Sequence, residues 1–162
     1  IIKALETTIE MLQYRGLDVS ELETIKQLTP DAFSESLENS YLQNFTLKTN
    51  EYAIYLCREF NKDVITEIRP HTIVICLMKL KNQKIQSGVQ VFYVDDLIVN
   101  ITKNRLVPKH HLITDKVKIQ EILTKLMADE NQLPKISIDD PMAKFLGAQT
   151  GNLVRIIRNS PQ

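Results

Sequence analysis

The sequence predicts a mixed α+β fold divided between two small units. Of its 162 residues, 43% are hydrophobic and 25% are charged, a composition typical of a globular protein that can bury a core. The predicted elements run helix, helix, strand, strand and then strand, helix, helix, strand, without regular alternation. This order favours two compact α+β units, at residues 1–94 and 95–162, over an alternating parallel-sheet fold.

The chain begins with a predicted amphipathic helix over residues 1–15. Apolar residues recur at three- and four-residue spacing from Ile2 to Leu12, which places them on one face of a helix. Gly16 follows this pattern, and glycine commonly ends a helix in the left-handed conformation. One face of this helix is therefore expected to pack inward.

The next fifty residues contain weaker signals. Thr29 and Pro30 have the cap-and-proline pattern of a helix start, which predicts a short helix ending near Leu37. The polar stretch up to Asn50 is predicted to be a loop. Residues 51–60 fit neither the helical nor the strand periodicity, so their state is left open.

Three strands are predicted around the middle of the chain. Residues 72–77 form a run rich in β-branched side chains, and residues 89–94 form a second apolar run after a Ser-Gly pair. Asp95 and Asp96 interrupt the pattern, and residues 97–102 resume it as a third strand. The interruption is where we place the boundary between the two units.

Two helices and a strand are predicted in the carboxyl-terminal part. The helix over residues 115–127 has apolar residues at i, i+3, i+4 and i+7 and a polar cap in front of it. A shorter helix over residues 142–146 begins at the cap Asp140 and ends at Gly147. The last strand covers residues 153–158.

Charge and composition exclude several classes of function. Twenty basic and twenty acidic side chains cancel, so no global field attracts the protein to nucleic acid or anionic lipid. No apolar run reaches the length of a membrane span, and the four glycines form no phosphate-binding motif. Basic side chains are locally in excess between residues 103 and 118, at Lys103, Arg105, Lys109, Lys116 and Lys118. We interpret them first as a solvated face; docking on an acidic protein surface and contact with phosphate are the alternatives.

Candidate metal and catalytic groups are poorly arranged. Asp95 and Asp96 would point to opposite faces of a strand, and Asp140 is already explained as a helix cap. His110 and His111 have neither the spacing of metal ligands nor a nucleophile beside them, so they are interpreted as surface or interface groups in a turn. We expect no catalytic residue, metal or cofactor.

Two cysteines, Cys57 and Cys76, lie within apolar segments. Free cysteine is among the most buried residue types, and two thiols without a C-x-x-C pair do not make a zinc framework. They are interpreted as buried reduced thiols of an intracellular protein, with a disulfide as the alternative.

The carboxyl-terminal stretch carries a series of motifs whose order and spacing are specific as a whole. They are Asn100–Thr102, Leu106–His110, Gln132–Ile136, Asp139–Gly147 and Gly151–Arg158. Together they resemble the fifth subunit shared by eukaryotic nuclear RNA polymerases, a family that also has archaeal members. The amino-terminal part is similar more loosely to the jaw domain of this family, through Ala4–Leu12, Arg15-Gly16 and Ile73–Val94.

The sequence departs from the family pattern at two places. Only Asp95 and Asp96 stand where the family carries a longer segment with a Thr-Pro-Ser-Ala turn near downstream DNA. The family also continues beyond Arg158 into a Gly-Arg-Tyr strand, which has no counterpart before Gln162. Archaeal members lack the jaw, so the resemblance points to a eukaryote or a large eukaryotic DNA virus.

The resemblance implies a nuclease-like jaw domain without nuclease activity at residues 1–94 and a small mixed α+β assembly domain at residues 95–162. It implies a non-catalytic polymerase subunit that docks on the largest subunit and contacts other polymerase subunits. Downstream DNA would be contacted weakly or indirectly, and no membrane is involved. The expected location is the nucleus, or the viral factory or virion for a virus-encoded member.

We expect the docking interface to combine rigid turns, basic groups and apolar strand residues, because a preformed backbone loses little entropy on binding. Strand parity allows at most one of Arg155 and Arg158 to point inward. The alternatives are a metal-dependent nuclease-fold enzyme and a free adaptor related to the subunit. The predicted interface residues are Val107, Pro108, Lys109, His110, Leu133, Pro134, Asp140, Pro141, Gly147, Arg155 and Arg158.

Overall fold

A computed structural model describes residues 1–22, 45–60, 63, 65–79 and 84–158. The chain divides into two compact units, Ile1–Val99 and Asn100–Gln162. The predicted helix at residues 29–37 lies outside the described residues. Within them, no helix combines the length and apolar character needed to cross a membrane.

The amino-terminal unit is built on a four-stranded sheet whose strands follow chain order. These are β1 (Phe45–Lys48), β2 (Tyr52–Cys57), β3 (His71–Cys76) and β4 (Val89–Tyr93). Strand β1 is antiparallel to β2, whereas β2, β3 and β4 are mutually parallel. All of β2 and nearly all of β3 are buried, as expected for central strands covered on both faces.

The parallel pairing of β2, β3 and β4 was not expected, because the predicted order of helices and strands does not alternate as it does in a parallel-sheet fold. The connections over residues 58–70 and 77–88 are each long enough to bring the chain back to the same end of the sheet. The overall α+β prediction agrees with the structure, because helices and a mixed sheet are both present.

Helix α1 (Ile2–Tyr14) confirms the predicted amphipathic helix and lies on one side of the sheet. Its apolar stripe, including Leu5, Ile9 and Leu12, is almost completely buried. Arg15, just after the helix, donates a hydrogen bond from Nη2 to Oε1 of Gln90 in β4 over 2.8 Å. This contact places α1 on the face of the sheet that carries the Gln90 side chain.

The opposite face of the sheet forms a second apolar cluster. Alternate residues of β2, β3 and β4 point into it, as the two-residue period of a strand requires. Partly buried Ile65 and Tyr93 pack against the cluster. Its buried members are Ala53, Tyr55, Cys57, Phe60, Val74, Cys76, Val89 and Val91.

Two predictions of local structure in this region are wrong. Residues 45–48, predicted as loop, form the edge strand β1, because pairing with β2 overrides their weak local signal. Residues 97–102 were predicted as a strand but do not form one. Leu97 is the last residue of one 3-10 turn, Val94–Leu97, and a second 3-10 turn, Ile101–Lys103, begins four residues later. Asn100 Oδ1 accepts hydrogen bonds from both N and Oγ1 of Thr102, and such local bonds compete with a strand.

Residues 95–99 group with the amino-terminal unit, since the Val94–Leu97 turn packs against α1. Leu97 in this turn is almost fully buried. Asp96 stabilises the turn by accepting a hydrogen bond from the backbone N–H of Tyr93 over 3.3 Å. The boundary between the two units therefore lies in the chain between Val99 and Asn100.

The carboxyl-terminal unit contains an antiparallel ribbon and two helices. Strand β5 (Lys109–Ile113) pairs with β6 (Leu153–Ile157), and the helices are α2 (Lys116–Leu126) and α3 (Pro141–Leu146). Both helices and β6 confirm their predictions. Strand β5 corrects the interpretation of residues 108–111 as a turn, because cross-strand pairing with β6 extends that segment.

Candidate protein-docking surface

The β5–β6 ribbon exposes one face that is rich in basic groups. His111 lies directly opposite Arg155, and Lys109 lies directly opposite Ile157. Directly opposed residues of an antiparallel pair point to the same side, and all four of these residues are exposed. We call Lys109, His111, Arg155 and Ile157 the outer face of the ribbon. It offers an ammonium group, a guanidinium group and an imidazole beside an exposed isoleucine.

His110 points to the other side of the ribbon and has a structural role. Its side chain is 6% exposed, and Nδ1 donates to the carbonyl oxygen of Pro108 over 2.7 Å. This bond holds the chain where it enters β5. The structure therefore separates the two neighbouring histidines, with His110 buried in the unit and His111 on its surface.

Asp140 and Gly147, both predicted interface residues, act as the two caps of helix α3. Asp140 Oδ1 accepts hydrogen bonds from the backbone N–H groups of Met142 at 2.8 Å and Ala143 at 3.2 Å. Gly147 ends the helix at φ 71°, in the left-handed region that favours glycine. Pro141 occupies the first helical turn and is exposed, so it remains available for contact.

The remaining predicted interface residues differ in accessibility. Val107 and Pro108 are half-buried in the turn before β5, and Leu133 is half-buried after a 3-10 turn. Pro134 and Arg158 are exposed. Arg155 is exposed as well, which agrees with the parity argument that at most one of the two arginines points inward.

Sequence reasoning missed a set of exposed apolar side chains in this unit. Val117 lies outside the apolar stripe of α2. This position off the stripe is the sequence signal that could have identified Val117 as exposed. Leu126 belongs to the predicted inward stripe but is 58% exposed at the last turn of the helix. The members that are more than half exposed are Leu106, Val117, Leu126, Met127 and Ile138.

Met127 is the most unusual member of this set. Its side chain is 93% exposed, and its backbone adopts φ 50° at the carboxyl end of α2. A methionine in the left-handed region costs conformational energy that a glycine would not. Nothing in the local sequence marks this position, because methionine is an ordinary helix former.

Two of the acidic groups considered as metal ligands, Asp96 and Asp140, have other partners. Asp96 Oδ1 lies 3.7 Å from Nζ of Lys79, and Asp140 caps α3. Across the described residues, no group of three or more histidine, cysteine or acidic side chains is placed to hold a metal ion.

Comparison with known proteins identifies the carboxyl-terminal unit. The family model described as RNA polymerase Rpb5, C-terminal domain, matches residues 99–162. This range coincides with the compact unit that begins at Asn100 and carries the outer face.

Three curated relatives illustrate the similarity. The Arabidopsis thaliana "DNA-directed RNA polymerases IV and V subunit 5B" is 27% identical over 180 aligned positions, covering 94% of this chain and 80% of the relative. The Arabidopsis thaliana "DNA-directed RNA polymerase V subunit 5A" is 25% identical over 171 positions, covering 91% and 77%.

The third relative is more similar over a shorter stretch. The Dictyostelium discoideum "DNA-directed RNA polymerases I, II, and III subunit rpabc1" is 40% identical over 79 positions, which cover 49% of this chain and 40% of the relative. The family match and these relatives agree with the motif series between Asn100 and Arg158. The carboxyl-terminal unit is thus similar to the RNA polymerase Rpb5 C-terminal domain, and the chain is similar to proteins named as subunit 5 of DNA-directed RNA polymerases.

Proposed function

We propose that this chain is a non-catalytic structural subunit of a multisubunit, nuclear DNA-directed RNA polymerase. In this proposal the carboxyl-terminal unit docks on the largest subunit, and the amino-terminal unit forms part of a jaw beside downstream DNA. The observation that carries the proposal is the family match over residues 99–162, which covers a unit that is compact by itself.

The outer face of the ribbon suits docking on an acidic protein surface. Lys109 and Arg155 are exposed, and neither makes an ion pair within the described residues. Both are held on paired strands, so their backbone loses little freedom on binding. Exposed Ile157 adds apolar area beside the charges. The charges would favour an acidic partner over others, and burial of Ile157 on binding would add affinity.

The jaw assignment is supported by the extent of the similarity. The alignments with the two Arabidopsis thaliana proteins cover more than nine tenths of this chain and so include the amino-terminal unit. The alignment with the 5B protein has 180 positions, more than the 162 residues of this chain, so that relative carries residues that this chain lacks. A chain without net charge is suited to weak DNA contact.

Affinity purification of the tagged chain from its source cells, at moderate salt, tests the assignment. We expect the two largest polymerase subunits among the recovered proteins. Recovery of other partners without them would favour a free adaptor.

The double variant Lys109→Glu/Arg155→Glu tests the docking face. Reversing both charges should reduce recovery of the largest subunit by about tenfold or more, since like charges across an interface repel. The matched control, Lys3→Glu/Lys84→Glu, reverses two exposed charges of the amino-terminal unit and should leave recovery within about twofold. Equal recovery with both variants would reject the outer face as the docking site.

The non-catalytic assignment has its own test. The purified chain is incubated with labelled DNA and magnesium or manganese, the ions used by two-metal nucleases. We expect intact DNA throughout. Sustained cleavage that a single carboxylate substitution abolishes would show that the chain is an enzyme.

A further inference from the structure

Cys57 and Cys76 occupy directly paired positions at the ends of strands β2 and β3. Both point into the same apolar cluster, and their Sγ atoms lie 3.4 Å apart as free thiols. Neighbouring strands are separated by about 4.8 Å, which falls within the Cα separation of roughly 4.4 to 6.8 Å that a disulfide can bridge. Side-chain rotation can therefore join the two sulfurs without separating the strands.

We propose that Cys57 and Cys76 form a reversible disulfide modification site that closes when hydrogen peroxide reaches the end of the β2–β3 pair. Reduced thiols are the resting state, as expected in a reducing compartment, where disulfides are usually transient and redox-sensing. The proposal concerns the amino-terminal unit alone and does not depend on the proposed polymerase function.

Access to the pair is controlled by the strand ends. Cys57 is 3% exposed and Cys76 is fully buried, so peroxide reaches them only when this end of the sheet opens locally. The next residues are more accessible, with Leu77 and Met78 exposed by 37% and 43%. Two backbone hydrogen bonds, Leu77 N to Cys57 O at 3.1 Å and Met78 N to Arg58 O at 2.9 Å, must break for that opening.

The contact between the thiols makes them chemically unequal. Their hydrogen bond lowers the pKa of Cys57, whereas the same bond and burial raise the pKa of Cys76. The thiolate is the form of cysteine that reacts with peroxide, and Cys57 is also the more exposed of the two thiols, so Cys57 reacts first. Cys76 is then the resolving thiol, already within van der Waals contact.

The reaction balances in two steps. The Cys57 thiolate attacks one peroxide oxygen, the O–O bond breaks, and the products are Cys57 sulfenic acid and hydroxide. The Cys76 thiol loses its proton as its sulfur attacks the sulfenic sulfur; the S–S bond forms and the hydroxyl leaves as water. Overall, the two thiols are oxidised by two electrons and one peroxide is reduced to two water molecules.

Intact-mass and peptide analysis of the purified full chain after peroxide treatment provide the first test. We expect a loss of two hydrogens, one linked peptide pair containing both cysteines, and full reversal by dithiothreitol. Two thiols that stay free, added oxygen without linkage, or disulfides between two chains would each overturn the proposal. Cys57→Ser and Cys76→Ser are the controls, and neither should show the two-hydrogen loss.

A second test asks whether the folded strands favour the bond. The chain is equilibrated with mixtures of reduced and oxidised glutathione, once folded and once in urea, and the disulfide fraction is measured by mass. Because the folded strands hold the two sulfurs close together, the equilibrium constant for forming the disulfide should be at least about tenfold larger in the folded protein than in urea. An equal or smaller stability in the folded protein would show that the native pair resists the bond. This comparison uses only the natural chain, so it remains decisive even where a serine variant fails to fold.

Discussion

Arg15 Nη2 donates a hydrogen bond to Gln90 Oε1 over 2.8 Å and so joins the end of helix α1 to strand β4. Burial lowers the pKa of Arg15 to about 10, which still leaves the guanidinium charged at neutral pH. The bond therefore satisfies a charge that packing has removed from water, and its loss is costly.

Gln90→Leu should destabilise the amino-terminal unit by about 1 to 3 kcal/mol, because a half-buried charged donor loses an acceptor. The chain has no tryptophan, and its five tyrosines all lie within residues 1–99. Urea unfolding followed by tyrosine fluorescence therefore reports this unit specifically. Gln86→Leu, at an exposed position before β4, is the matched control and should change stability by less than about 0.5 kcal/mol. Equal midpoints for the two variants would show that the Arg15 contact contributes nothing.

Elements whose signals are local could be predicted from the sequence. Helix α3 is the clearest example, since Asp140 and Gly147 act as the caps that their residue types indicated. Strands β1 and β5 could not be predicted in this way, because each is fixed by pairing with a strand distant in the chain. The turn at Asn100 was missed for the opposite reason, since a short-range side-chain bond overrides an apolar run suited to a strand.

The candidate surface shows the same division between local and long-range information. Lys109 and Arg155 were predicted from the sequence as interface residues, but their common face depends on the register of β5 against β6, which the sequence alone does not reveal. Register also decides which histidine is buried. His111 was left out of the predicted interface although its neighbour His110 was included, and only the pairing with Arg155 places His111 on the outer face.

The two histidines should respond differently to the same substitution. His110→Ala removes a buried ring and its hydrogen bond to Pro108, so we expect the carboxyl-terminal unit to lose about 1 to 3 kcal/mol. His111→Ala changes an exposed side chain and should cost less than about 0.5 kcal/mol.

Urea titration followed by the backbone amide signals of residues 100–162 in NMR spectra measures this difference within one unit. His111→Ala should nevertheless reduce recovery of polymerase if the outer face docks as proposed. A larger loss of stability for His111→Ala than for His110→Ala would contradict the assignment of the two faces.

Met127→Gly should stabilise the carboxyl-terminal unit by about 0.5 to 1 kcal/mol. Glycine adopts the left-handed conformation at this position without the steric cost borne by methionine, whose 93% exposed side chain contributes little packing. Leu126→Gly is the matched control at the last residue of α2. There the backbone is helical, so the same new residue should destabilise the unit by about 1 kcal/mol.

Opposite signs at these adjacent positions, measured by the same amide signals, would confirm that backbone conformation sets the effect at Met127. A loss of stability at both positions would mean that the Met127 side chain packs against the unit. Reduced polymerase recovery with a stabilised Met127→Gly variant would indicate that the exposed methionine serves a contact at the expense of stability.

The amino-terminal unit should lose stability as the pH falls through the range in which histidine titrates. Burial is the main cause that lowers the pKa of His71 in β3, the positive charge of Arg15 lowers it further, and Glu51 partly opposes both. The folded-state pKa therefore lies below the unfolded value of about 6.5. Above that value His71 is neutral in both states and its contribution is complete. Below it the unfolded chain binds the proton first, so stability is lost as the pH approaches the folded pKa.

His71→Gln removes this titration while keeping a polar side chain of similar reach. Tyrosine-detected urea unfolding at about pH 7.5 and about pH 5.5 should show a smaller decrease for the variant than for the natural chain. The difference should be less than about 1 kcal/mol, because His71 is only half-buried and solvent screens its charge. Identical decreases for His71→Gln and the natural chain would contradict a contribution of His71 to the acid sensitivity of this unit.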